Sequence, residues 1–476
     1  MLYKILSNPT ISELYPNIEA NEIDTSFMSN NFEENYQNLK ELGQNHITND
    51  PHIIKDCLKR MEDEIDEMQI YAIFSFCDLL NKSPYQLISN MNPNHLLILL
   101  HFALNDCTQY FVLESLCYII QCIQNSPAFI QALIDFDFFY HLCEIIKKQK
   151  EDIVVNLCFS IGLYSLKLGD EILNIMITSE LFELANSYLT KEERTNITIA
   201  RLFGNAFSIK NDYFIDNLSH NHMEKLAFLA FYGDFLPVNE YGLDGIFNLF
   251  KNYPDKVILF SSNNYIFVLS KKMLDKEQNI RLLSAKILLQ CINETNFPPE
   301  KFYEYNVIES LLRTFQWCDE KLCLYCIDVI KSLIYRSNEQ IIQQIVAEIV
   351  KTDLFTNVEP LTFIVKEGLT TVFGELIKRL NSIQIEILMN EKILKFLFDF
   401  ISIGQTDVVN LISSIFINTF DRNSNEQFKK QIMILFDTLD ILEILENAII
   451  DEDSNNHEIG HIKVLISRLQ EYFKSC

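Results

Sequence analysis

The chain has 476 residues and carries 39 Lys and Arg against 65 Asp and Glu, a net charge of −26. So acidic a balance argues against duplex nucleic acid as a partner, because phosphates demand a basic surface. No run reaches the roughly 20 uninterrupted apolar residues that a membrane span needs. Glycine and proline number only 11 each, and their scarcity favours helices joined by short polar connections over sheets and tight turns.

Residues 1–60 are acidic, contain Pro9, Pro16 and Pro51, and are expected to form an N-terminal extension or cap. The apolar start breaks off at Ser7-Asn8-Pro9, so no signal peptide is expected. The 12 cysteines then read as reduced thiols in a cytoplasmic, possibly nuclear, protein.

From residue 61 to 476 the pattern repeats, and one solenoid domain is expected. A small or apolar residue recurs inside amphipathic stretches at Ala72, Cys117, Cys158, Ala200, Leu243, Ala285, Cys326, Val372 and Ser413, with steps of 41 to 46 residues. A second register of short helices opens at Leu96, Phe138, Leu181, Met223, Ile266, Val307, Leu354, Ile393 and Ile441. Asn306, Asp353 and Asp440 precede three of these and are expected to cap them. A third apolar segment lies between the registers, as in Ala128–Asp135 and Glu171–Thr178. Each unit is thus three helices, and a unit of this kind buries its apolar face only against its neighbours. Where third helices cross closely, a small residue lets the backbones approach.

Ala200-Arg-Leu-Phe-Gly-Asn205-Ala-Phe and Ser413-Ser-Ile-Phe-Ile-Asn418-Thr-Phe resemble the third helix of the armadillo repeat, which reads Ala-x-x-Leu-Ser-Asn-Leu-Ala. The resemblance covers about residues 60–476. It lacks the usual glycine between the first two helices of most units, which leaves a HEAT-like solenoid as a near neighbour. It implies an all-α, right-handed superhelix of about nine three-helix repeats, with the third helices lining a concave groove. By the same resemblance the exposed rungs are the residue after the small position and the one four further on. The first rung is then Ile73, Tyr118, Phe159, Arg201, Asp244, Lys286, Ile327, Phe373 and Ser414. The second is Cys77, Cys122, Leu163, Asn205, Asn248, Gln290, Lys331, Ile377 and Asn418. The binding candidates among them are Tyr118, Phe159, Arg201, Asn205, Asn248, Lys286, Gln290, Lys331 and Asn418. Trp317, the one tryptophan, is on neither rung.

Catalytic chemistry has few footholds. His457-Glu458-Ile459-Gly460-His461 matches the H-E-x-x-H of zinc hydrolases, in which two imidazoles on one helix face hold zinc beside a glutamate base. No strand pattern precedes it and no third ligand is evident, so it reads as a terminal helix with Gly460 as the small residue of the last unit. Cys318, Cys323 and Cys326 imitate part of a metal spacing, but Cys326 holds the repeat's small position and a fourth ligand is missing. His220 and His222 read as turn residues. No phosphate loop or nucleophile elbow occurs.

The expectation is a non-catalytic scaffold without cofactor or metal, which binds a protein or peptide partner, with no nucleic acid and no membrane insertion. The alternatives are a zinc hydrolase built on His457 and His461, or an armadillo-type regulator of a GTPase or chaperone. Arg201, Lys286 and Lys331 would favour an acidic or phosphorylated segment in the groove.

Overall fold

The structure, a computed structural model, describes residues 51–475, except 63–65, 83, 106–109, 150, 189–192, 218–219, 234, 261–263, 353–354, 356–357, 404 and 451–458. Among the described residues there is no strand. Two compact units divide between Asn252 and Tyr253.

The first unit opens with a helix pair, α1 (Pro51–Met61) and α2 (Asp66–Lys82). Ile54, Leu58 and Met61 are buried, so packed structure starts inside the segment expected as an extension or cap. Four triplets follow. They are α3 (Pro84–Asn90), α4 (Pro93–Asn105) and α5 (Tyr110–Cys122); α6 (Pro127–Asp135), α7 (Phe138–Lys148) and α8 (Asp152–Ser165); α9 (Asp170–Thr178), α10 (Leu181–Ser187) and α11 (Glu193–Ser208); and α12 (Asp212–Asn217), α13 (His220–Tyr232) and α14 (Leu236–Asn252). Each third helix packs on the third helix of the next triplet, α5 on α8, α8 on α11 and α11 on α14.

The second unit repeats the plan. A 3-10 turn (Pro254–Phe260) precedes α15 (Tyr265–Lys272) and α16 (Gln278–Asn293). Then come α17 (Glu300–Glu304), α18 (Val307–Thr314) and α19 (Glu320–Arg336), followed by α20 (Glu339–Lys351) and α21 (Phe363–Ile377). The last triplets are α22 (Ser382–Leu388), α23 (Glu391–Ile401) and α24 (Thr406–Arg422), and α25 (Glu426–Thr438), α26 (Ile441–Ile450) and α27 (Gly460–Ser475). Helices α16, α19, α21, α24 and α27 stack in that order. Both units are therefore all-α solenoid segments of stacked helices.

The small positions lie in the seams. Cys117, Cys158, Ala200, Ala285, Cys326 and Ser413 are all fully buried. At Leu243 the approach is made instead by its neighbours. A Cβ on Gly245 would stand 2.9 Å from Gly204 Cα, and one on Gly242 would stand 2.7 Å from Ala230 Cα and N. Backbones α11 and α14, and α13 and α14, thus touch where only glycine fits. At the end of the chain Gly460 has open space around its Cβ position and is exposed, so it starts α27 and is not the seam residue expected of it.

The missing inter-helix glycine also has an answer. Asp137, Glu180, Asn306 and Asp440 stand one residue before a second helix and hold left-handed backbone, with φ of 50°, 67°, 53° and 49°. Asn306 was expected to cap its helix and does not, since its side chain makes no cap hydrogen bond. Its work is the turn itself, a conformation that Asn and Asp tolerate best after Gly. Asp440 holds the same turn, and the expected cap Asp353 and helix start Leu354 lie outside the described residues.

Polar groups tie third-helix ends together across a repeat. Asn252 Nδ2 donates to the Phe207 carbonyl at 2.7 Å, and Arg379 Nη2 donates to Ser337 O at 2.7 Å. Arg336 donates to the carbonyls of Ile292, Glu294, Thr295 and Phe297, closing the C-terminal end of α16, whose last carbonyls have no intrahelical partner.

Candidate functional site: the third-helix faces

A third helix buried on three sides leaves one stripe for solvent, and the stripe lies where neither the seam nor the triplet's other helices cover it. In the first unit α11 presents Arg201 and Asn205, and α14 presents Asp244 and Asn248. In the second unit α16 presents Lys286 and Gln290, and α24 presents Ser414 and Asn418. Each of these side chains is at least partly open to solvent.

Two helices depart from the expected register. On α19 the expected first rung, Ile327, is buried and Asp328 is exposed instead, while Ser332 and the expected second rung Lys331 are both half-exposed. On α21 Phe373 and Ile377 are buried, and Thr371 and Glu375 are half-exposed instead. The rungs of the second unit are then Lys286, Asp328, Thr371 and Ser414, at steps of 42 and 43 residues. Val372 is correspondingly replaced in the small column by Thr370, fully buried and 43 residues before Ser413. Apolar periodicity alone did not fix the azimuth, whereas the constant step between polar residues would have.

Helix α8 offers no rung. Val154 to Ser165 are all buried, so Phe159, expected on the groove, presents nothing, and nor does Leu163. Tyr188 stacks edge-on against Phe159 at 6.0 Å and donates to Asp152 at 3.2 Å. The signal was present in the sequence, since no charge occurs between Asp152 and Lys167, and a helix apolar all round is a buried one. Ile73 and Cys77 of α2 are likewise buried, while Tyr118 and Cys122 of α5 are half-buried.

The rung cations sit over rings. Arg201 lies 5.3 Å from the Tyr241 ring centre and Lys286 lies 5.6 Å from that of Tyr325. Such placement holds a long side chain while its charge faces solvent. Asn248 donates to Asp244 at 3.1 Å and Asn418 to the Ser414 carbonyl at 2.8 Å. The sequence reading missed Tyr335, which is 87% exposed on the same stripe of α19. Trp317, off the rungs as expected, stacks on the buried Arg281 at 4.2 Å.

Of the H-E-x-x-H motif, His457 and Glu458 lie outside the described residues. His461 is exposed in the first turn of α27, and its N–H donates to Asn410 Oδ1 at 3.2 Å. His222 is buried, 3.4 Å from Glu183 across the repeat, and His220 opens α13. No set of three His, Cys, Asp or Glu among the described residues is arranged to hold a metal ion. Burial pushes the thiols of Cys57, Cys77, Cys122 and Cys323 up to about 12, and Cys326 is raised further for the same reason. Thiols held protonated are poor nucleophiles. No helix among the described residues is long and apolar enough to cross a membrane.

No protein-family model matches the chain, and no curated protein does. The fold does match solved structures. An engineered protein aligns with 88% of this chain and 98% of its own, at a TM-score of 0.61 and 12% identity. A computationally designed armadillo repeat protein for modular peptide recognition aligns with 51% of this chain and 99% of its own, at a TM-score of 0.44 and 14% identity.

Proposed function

We propose that this chain is a non-catalytic scaffold that holds an extended segment of another protein along its third-helix faces. The observation that carries the reading is the recurrence of one polar pair per repeat, Lys286 with Gln290, Asp328 with Ser332, Thr371 with Glu375 and Ser414 with Asn418. Packed helices lie roughly 8–10 Å apart and an extended chain advances about 3.3 Å per residue, so each rung meets about every third residue of the segment. Amide and hydroxyl side chains on the rungs supply the partners that an extended backbone needs. Lys286 favours an acidic stretch against α16.

Photo-cross-linking tests this. A benzophenone amino acid placed singly at Gln290, Ser332 or Glu375 of the second unit should trap one partner, whose cross-linked peptides order along its sequence as the rungs do. The same probe at Ile383, which is 71% exposed on α22, should trap none. Equal trapping at Ile383, or none at the rungs, refutes the reading.

A further inference from the structure

Arg281 of α16 is only 6% exposed, and half of its guanidinium is unused. Its Nη1 donates to the carbonyls of Asp275 and Lys276, each at 2.9 Å, and the Trp317 ring centre lies 4.2 Å from its guanidinium carbon. Nε is buried and has no hydrogen-bond acceptor among the described residues, and Nη2 donates to none of them either. We infer that Arg281 and Trp317 form a docking site for a carboxylate of a partner protein, an Asp or Glu with an apolar neighbour, separate from the third-helix faces.

Nε–H and one N–H of Nη2 point side by side from the same edge of a planar guanidinium, and the two oxygens of a carboxylate meet that edge together. A buried guanidinium ordinarily has an anion beside it. Here the neighbouring acids are engaged elsewhere. Asp319 accepts from Gln278 and from the Leu322 N–H that it caps, Glu277 faces Lys276 at 3.9 Å, and the Asp275 carboxylate accepts the Glu277 N–H at 3.1 Å. The two carbonyls on Nη1 are neutral, so a counter-charge has to come from outside the described chain.

One guanidinium matches one negative charge. A phosphate group carries nearly two, and with Asp275, Glu277 and Asp319 close by the second is repelled, so the site favours a carboxylate. Trp317 is 42% exposed; its indole holds the guanidinium on one side and offers apolar surface to an incoming chain. Arg and Trp are also the side chains that most often carry the binding energy of an interface. Arg281 precedes Lys286 by five residues, which turns it about 140° from that rung at roughly 3.6 residues per turn, and Trp317 stands in the 3-10 turn before α19.

Trp317 is the one tryptophan of the chain, so fluorescence reads this site directly. The full chain is titrated with the capped tripeptides Leu-Glu-Leu and Leu-Gln-Leu, with acetate and with inorganic phosphate. The glutamate peptide should change the emission saturably and bind at least about tenfold tighter than the glutamine peptide, with acetate and phosphate weaker than either the fork or the indole together with it allows the glutamate peptide to be. Arg281→Lys keeps the charge but loses the fork, and should weaken the glutamate peptide at least about tenfold while circular dichroism shows the helices intact. Should that variant unfold, the Arg281 Nε–H resonance of the unmutated chain gives the second reading, and it should shift with the glutamate peptide and not with the glutamine one. Binding of neither peptide, equal binding of both, full binding by a folded Arg281→Lys, or tighter binding of phosphate or acetate overturns the inference. So does an Nε–H resonance indifferent to the glutamate peptide, which would assign that donor to a buried water.

Discussion

Substituting Ala for Gly adds the same methyl group everywhere, so two glycines in third helices separate packing from propensity. Gly374 in α21 is the open case, since an added Cβ would lie 3.7 Å from Ile415 Cγ1, an ordinary contact. Helix propensity then rules, and Gly374→Ala should stabilise its helix by about 0.5–1 kcal/mol. Gly245 in α14 is the closed case. Its Cβ would meet Gly204 Cα at 2.9 Å and Leu226 Cδ2 at 3.1 Å. The nearer atom is backbone, so no rotamer change relieves it and the two helices must separate. Overpacking costs about 1–3 kcal/mol against about 1 kcal/mol of propensity gained, which leaves Gly245→Ala destabilising by up to about 2 kcal/mol. Native-state hydrogen exchange reads this helix by helix. Amides of α14 should exchange roughly tenfold faster in Gly245→Ala, since 1.4 kcal/mol is a factor of ten, and those of α21 should slow in Gly374→Ala. If both variants shift in the same direction, the close backbone approach is not what keeps glycine in that seam.

Glu180→Gly removes a side chain from left-handed backbone and should stabilise by about 1 kcal/mol, reduced by whatever the exposed Lys147 ion pair at 3.0 Å contributes; a loss in thermal midpoint would contradict the strain argument. The corrected register predicts that Ile327→Ala costs about 2–4 kcal/mol while Asp328→Ala stays within about 0.5 kcal/mol, as read by urea denaturation. His95 titrates below its ordinary value because burial disfavours its charged form, with Glu62 opposing in part. Its ring accepts from the Asn92 N–H at 3.0 Å, so Nε2 carries the proton that faces Leu58 O at 3.2 Å. The unfolded chain then binds the proton first as pH falls through about 6.5. Stability should drop below that pH, and His95→Gln should flatten the dependence over pH 5–7 in thermal melts.

The sequence by itself determined the fold class and the period. Apolar residues at helical spacing, few glycines or prolines, and a small residue about every 42 positions require helices that bury their faces against one another. Arg201, Asn205, Lys286, Gln290 and Asn418 are open to solvent because a polar residue one or five steps past a buried small one lies on the face that the seam leaves uncovered. Three things depended on tertiary structure. Which residue of α19 or α21 faces outward follows from how far each helix is rotated in its seam, and Ile327 and Phe373 are apolar because neighbours cover them. Phe159 lies hidden because Tyr188, from a connection 29 residues downstream, packs on it. Asp137 and Glu180 substitute for glycine because packing of the flanking helices holds the left-handed turn that a local rule assigns to Gly.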